Sequence, residues 1–249
     1  MLSYLIVCPL VFLAGFVDAI AGGGGLISLP AYMFAGLPVH TAIATNKMSS
    51  SMGTTVSTIH YFRQGYVKWN ICLPSIAAAL IGSWTGAHVS LGLSEGVLKM
   101  IILVILPFIA FYVMRKKNLE RPDVKKHPLN ITILLCCFVS LVIGIYDGIY
   151  GPGTGTFLIL LFTGLCRLNL QDAAGTTKVI NLTTNLAALS VFLINQKVYL
   201  PLGIAAGLCN MAGNYIGSHQ FSKDGTKIVR PVILLVLVIF FAKTLSELI

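Results

Sequence analysis

Two lysines, Lys47 and Lys178, stand about a turn and a half inside apolar stretches, a placement that calls for a reason. Thr45 and Asn46 precede the first, Thr176 and Thr177 the second, and Ser49, Ser50, Ser51, Thr54, Asn181, Thr183 and Asn185 surround them. Hydroxyls and amides flanking an ammonium are the donors that a small oxyanion needs. Asp18 and Asp147 lie in two further apolar stretches. A charge at the bilayer centre costs roughly 2.5–3.5 kcal/mol on insertion scales, so four uncompensated charges would cost on the order of 10 kcal/mol. They require partners or water. Ion pairs within each half, Asp18 with Lys47 and Asp147 with Lys178, are one solution; lysines that snorkel to the nearby surface are another. A carboxylate beside a lysine is also a place to couple a proton, because desolvation and the neighbouring charge pull its proton affinity in opposite directions.

Gly22, Gly23, Gly24 and Gly25 form a break in which backbone N–H groups can approach a ligand, and a helix starting near Leu26 would point its partly positive N-terminus at it. A second break, Gly151-Pro152-Gly153-Thr154-Gly155-Thr156, adds two hydroxyls. The same glycines would also serve a tight chain reversal or close helix packing. The expected substrate-binding set is Gly22, Gly23, Gly24, Gly25, Asn46, Lys47, Ser50, Gly153, Thr154, Thr177, Lys178 and Asn181. Asp18 and Asp147 are expected to act as proton-coupling groups or ion-pair partners.

Other chemistries lack their parts. No HExxH, GxSxG, P-loop or zinc-ligand spacing occurs, so the chain reads as a non-enzyme without a cofactor or bound metal, driven by gradients rather than nucleotide. The cysteines at 8, 72, 136, 137, 166 and 209 show no CxxC spacing and read as small buried hydrophobes. Three alternatives stay open: a cation or metal permease using Asp18, Asp147, His60, Met48 and Met52; a thiol-based enzyme or assembly factor using Cys136 and Cys137; and a passive anion channel.

The elements that must position these residues are membrane helices. The chain is 56% hydrophobic and 10% charged, with a mean hydropathy of +0.87, and its apolar runs lack the period-two alternation of a barrel. The fold class is an all-α polytopic membrane protein. Its +9 net charge reflects cytoplasmic loops rather than a nucleic-acid partner. The first segment carries no Lys or Arg, the first basic residue being Lys47, and it reads as a retained helix.

Self-comparison shows a duplication. Gly15-Phe16-Val17-Asp18-Ala19-Ile20-Ala21-Gly22-Gly23-Gly24 recurs as Gly144-Ile145-Tyr146-Asp147-Gly148-Ile149-Tyr150-Gly151-Pro152-Gly153, 129 residues on. Thr45, Lys47, Gly82, Gly86 and His88 match Thr176, Lys178, Gly213, Gly217 and His219 at an offset of 131. Repeat 1 (1–114) and repeat 2 (131–249) flank a basic linker (115–130). Each holds five elements: 4–21, 26–36, 42–62, 69–91 and 95–114, then 131–150, 155–165, 172–194, 199–220 and 229–248. The second of each set is too short to cross and reads as broken or re-entrant.

With 115–130 cytoplasmic, Arg63, Lys68, Arg167, Lys223 and Lys227 fall inside, Lys197 alone dissents, and both termini lie outside. Five elements per half make the repeats inverted, a plan that secondary transporters use with binding at the breaks. Gly82 with Gly86, and Gly213 with Gly217, read as packing seams.

The residues Gly15-Phe16-Val17-Asp18-Ala19-Ile20-Ala21-Gly22-Gly23-Gly24-Gly25, Ala44-Thr45-Asn46-Lys47 and Tyr146-Asp147-Gly148-Ile149-Tyr150-Gly151-Pro152-Gly153 resemble the TauE/SafE sulfite exporter (TSUP) family, its YfcA-type members most of all. The resemblance implies a bacterial plasma-membrane permease, commonly an exporter, for sulfite, thiosulfate or a sulfonate. The implied partners are that small anion and the lipid bilayer, with a homodimer among the open oligomeric states. Pro152 replaces Gly23 and Thr177 replaces Asn46 in the second copy, so one asymmetric central site is expected.

Overall fold

A computed structural model describes residues 2–98, 100 and 127–220. Among them the chain forms eight complete helices and no strand. These are α1 (Leu2–Ala21), α2 (Gly25–Phe34), α3 (Val39–Arg63), α4 (Trp69–Gly92), α5 (Leu129–Ile149), α6 (Thr154–Gly164), α7 (Leu170–Ile194) and α8 (Leu200–His219). A further helix begins at Glu95. The remainder of the expected element 95–114 beyond residue 100, the element 229–248 and most of the basic linker lie outside the described residues.

Helices α1, α4, α5 and α7 are long and apolar enough to cross a bilayer. Helix α3 has 25 residues but is rich in Ser, Thr and Asn, and it buries those groups inside the bundle, with Thr45, Ser49, Thr54 and Ser57 nearly inaccessible. The outward faces are apolar instead, as with Leu134 (70% exposed) and Phe138 (61%) on α5. In lipid that pattern is favourable, because apolar side chains meet hydrocarbon while polar ones meet protein.

Helices α3, α5 and α7 start two or three residues before their expected positions, for local reasons. Pro38 precedes α3 and Pro128 precedes α5, each fixing an extended entry where a missing N–H costs nothing. Asn169 caps α7, its side-chain oxygen accepting from the Asp172 amide at 2.8 Å. Helix α2 stops at Phe34 instead of 36, where Gly36 takes a left-handed φ of +87°.

The largest packing surfaces join α4 to α5 and α1 to α8, so the first helix of each half lies on the fourth helix of the other. The residue contacts repeat with the halves exchanged. Gly82 and Gly86 of α4 press on the main-chain oxygens of Leu141 and Ile145, while Gly213 and Gly217 of α8 press on those of Phe12 and Phe16. Both pairs are seams of the small-xxx-small kind. Between α3 and α8, the Met48 sulfur sits 2.9 Å from where a Gly203 side chain would begin.

Charged and polar contacts sort the loops into two ends. Lys68 pairs with Asp172 at 3.5 Å, which joins the 64–68 and 165–169 connections. At the other end His40 contacts Ser90 O at 3.0 Å and Glu95 at 3.9 Å, and the Tyr199 amide donates to Thr45 Oγ1 at 3.0 Å. Short helices α2 and α6 therefore leave the centre toward opposite ends.

Candidate functional site

The two chain breaks cross at the centre of the bundle. Gly22 takes a φ of +71°, and the α-carbon of Gly22 lies 2.6 Å from where a Gly155 side chain would start. Gly25 is as tight against Pro152, whose α-carbon lies 2.9 Å from the corresponding point. Only glycine permits this approach. The crossing is bonded as well as packed: the Thr156 amide donates to Gly22 O at 3.1 Å and its hydroxyl to Ala21 O at 2.9 Å. The first turns of α2 and α6 thus meet; several of their leading amides already have main-chain acceptors, Leu26 on Gly23 O at 3.1 Å and Thr154 on Gly151 O at 3.1 Å among them, and the helix ends still carry partial positive charge.

Around this crossing lie the four buried charges, paired between the halves. Lys47 Nζ is 2.7 Å from Asp147 Oδ2 and donates to Asn185 Oδ1 at 3.2 Å. Lys178 Nζ is 3.1 Å from Asp18 Oδ2 and also donates to the main-chain oxygen of Asp18. The within-half pairing of Asp18 with Lys47 and Asp147 with Lys178 is therefore incorrect, and neither lysine snorkels, each being 1% exposed. The cause is the helix packing, which places the start of each half against the later helices of the other. Thr154 completes the arrangement, donating to Asp147 Oδ1 at 2.7 Å and contacting Gly151 O at 2.6 Å.

A small cavity of about 20 Å³, room for one water-sized group, opens between these groups. Of the residues expected from sequence, Gly22, Gly25, Asn46, Lys47 and Ser50 line it from the first half, and Gly153, Thr154 and Asn181 from the second. Asp18 and Asp147 line it too. Four expected residues stand outside it. Gly23 lies within the turn, Gly24 packs on α1 with Asp18 Cβ 2.6 Å from where its side chain would begin, Lys178 is turned to Asp18, and Thr177 is fully buried.

Three lining residues, Gly151, Gly155 and Asn185, are absent from the expected set. Asn185 was legible in the spacing: Lys178, Asn181 and Asn185 fall at i, i+3 and i+7, one face of a helix. Gly151 has a φ of +97°, and a side chain there would begin 2.8 Å from both Lys47 Nζ and Asp147 Oδ1. The residues of the cation alternative are not assembled. Met48 packs on Gly203, His60 stacks on His219 at 4.2 Å, and among the described residues no three His, Cys, Asp or Glu side chains group as metal ligands do.

Crossed helix breaks, buried charges and a polar cavity within an apolar helix bundle define an integral membrane protein of the transporter class. The family model described as "Sulfite exporter TauE/SafE" matches residues 7–244, and the chain belongs to that family. It is 34% identical over 247 residues to "Probable membrane transporter protein ORF9" of Sinorhizobium sp, covering 99% of this chain and 93% of that protein. It is 33% identical over 235 residues to "Probable membrane transporter protein YfcA" of Escherichia coli K12, covering 94% and 87%. A more distant relative, "Probable membrane transporter protein YdhB" of Bacillus subtilis, is 22% identical over 235 residues, covering 92% and 93%. No solved structure matches the chain.

Proposed function

We propose that this protein is a secondary transporter that carries a small sulfur oxyanion, sulfite or an organosulfonate, across the bacterial plasma membrane by alternating access. The observation that carries the reading is one cavity lined by a lysine ammonium and by the first turns of two helices, one from each half. A lysine, helix N-termini, hydroxyls and amides are donors suited to an oxyanion. The choice of sulfur, and export as the direction, follow the family's description. The cavity is too small for a sulfonate as it stands, so cargo entry requires the halves to move apart.

In this reading the repeats are inverted, the 63–68 and 166–171 loops are cytoplasmic, and both termini are outside. Support comes from the opposite courses of α2 and α6, and from Arg63, Lys68 and Arg167 at one end. Rocking of one half on the other would exchange which end of the cavity is open. Counterflow in liposomes with labelled sulfite, thiosulfate, sulfoacetate and taurine tests the proposal. Saturable exchange of at least one, lost in Lys47→Ala, is expected; no exchange of any would refute it.

A further inference from the structure

The four buried charges cancel before any guest enters. Lys47 balances Asp147 and Lys178 balances Asp18. Three of them, Asp18, Lys47 and Asp147, line the cavity, and Lys178 stands behind Asp18. The wall itself therefore carries one carboxylate in excess. An anion brought in alone would leave a buried negative charge without a counter-charge, and the partial charges of two helix ends offset only part of that cost.

The two carboxylates differ in their surroundings. Asp147 accepts from the Thr154 hydroxyl at Oδ1 and meets the Lys47 ammonium at Oδ2, each at 2.7 Å, the second an ion-pair contact without a hydrogen bond. Asp18 engages only Oδ2, and its Oδ1 accepts no hydrogen bond from the described residues. Its side chain is 12% exposed where that of Asp147 is 1%. Neutralising Asp147 would strip Lys47 of its carboxylate partner. Neutralising Asp18 leaves Lys178 with the Asp18 main-chain oxygen, to which it already donates.

The groups facing Asp18 come from several helices. Lys178 on α7 is its direct partner, and Lys47 on α3 and Asp147 on α5 share the cavity with it. Tyr61 on α3 donates to the neighbouring Ala19 O at 2.8 Å. Helices α2 and α6 carry no charged residue. Helix α8 brings Cys209, Tyr215 and His219, the last stacked on Tyr215 and His60.

We infer that Asp18 is the proton carrier of this transporter: as a negative charge of the cargo settles at Lys47, a proton from water on the open side forms an O–H bond at Asp18, and both leave to water on the other side. The inference rests on the anion reading above. A monoanion would then cross without net charge, and flux in either direction would carry acid with it.

The test uses toluene sulfonate, a monoanion that does not itself titrate near neutrality, with thiosulfate and sulfoacetate as dianions. Liposomes containing the full chain and a pH dye report proton and labelled-anion uptake together. The wild type is expected to move one proton per toluene sulfonate. Asp18→Asn is expected to move the anion with no proton and to lose the pH dependence of exchange, whatever its rate. Should Asp18→Asn not fold, Asp18→Glu decides, because a carboxyl on a longer arm shifts the pH of half-maximal exchange; an unshifted profile overturns the assignment. Anion exchange without proton movement in the wild type, or an unchanged proton ratio in Asp18→Asn, overturns this inference alone. Exchange of none of the anions overturns the anion reading and the inference together.

Discussion

Lys47 Nζ lies 2.7 Å from Asp147 Oδ2 and 3.2 Å from Asn185 Oδ1, so the ammonium of the first half is held by side chains of the second. Lys178 is held in turn by Asp18 of the first half. The halves are thus tied by reciprocal ion pairs at the point where their chain breaks cross.

Removing one member of a buried pair leaves the other uncompensated, at a cost of about 3–5 kcal/mol. Lys47→Ala and Asp147→Ala should each lower the unfolding temperature in detergent sharply. The double variant should be closer to wild type than either single change. A Lys47→Ala, Asp18→Ala double variant should show no such recovery, since it breaks both pairs.

Gly151→Ala should abolish anion exchange. Its backbone, at φ +97°, costs a non-glycine residue roughly 1–2 kcal/mol. The new methyl would also sit 2.8 Å from both members of the Lys47 pair. Gly36→Ala is the control: φ there is +87°, but nothing lies within 4 Å, so stability should fall by a similar backbone cost with exchange retained.

Asn185→Leu should weaken cargo binding. Asn185 lines the cavity with its oxygen turned to Lys47, leaving its amide N–H groups as donors to a bound anion; a hydrogen bond to a charged group contributes about 1.5–3 kcal/mol, so the half-saturating anion concentration should rise roughly tenfold or more. Titration of exchange against anion concentration checks it, and an unchanged value would remove Asn185 from the site.

Gly86→Ala and Gly217→Ala should destabilise to similar extents, about 1–3 kcal/mol each. Each adds a methyl against a main-chain oxygen of the opposing helix, Ile145 in one case and Phe16 in the other. Thermal unfolding of the two variants should agree if the seams are equivalent.

Much of this arrangement was legible in the sequence because membrane helices announce themselves by length and apolarity, and because a repeat exposes equivalent residues. The Gly22–Gly25 and 151–155 breaks, the lysines, Asn46, Ser50, Thr154 and Asn181 were all readable on those grounds. The pairing was not. An offset of 129 or 131 residues identifies Asp18 with Asp147 and Lys47 with Lys178, yet says nothing about which lysine each carboxylate meets. That choice belongs to the packing of α1 on α8 and α5 on α4, a long-range contact with no local signature. Helix starts missed their places where Pro38, Pro128 and the Asn169 cap extend the helices, since caps act through geometry that hydropathy does not register.

The reciprocal ion pairs also bear on how the protein is made. Synthesis runs from the N-terminus, so Asp18 and Lys47 enter the bilayer before Lys178 and Asp147 exist. The nascent first half therefore carries polar cargo of its own making into lipid, sustained only by its apolar neighbours. A chain truncated between the halves would keep that burden and become a substrate for quality control. The second pair closes only when α7 brings Lys178 to Asp18, and α8 has still to pack on α1 after that.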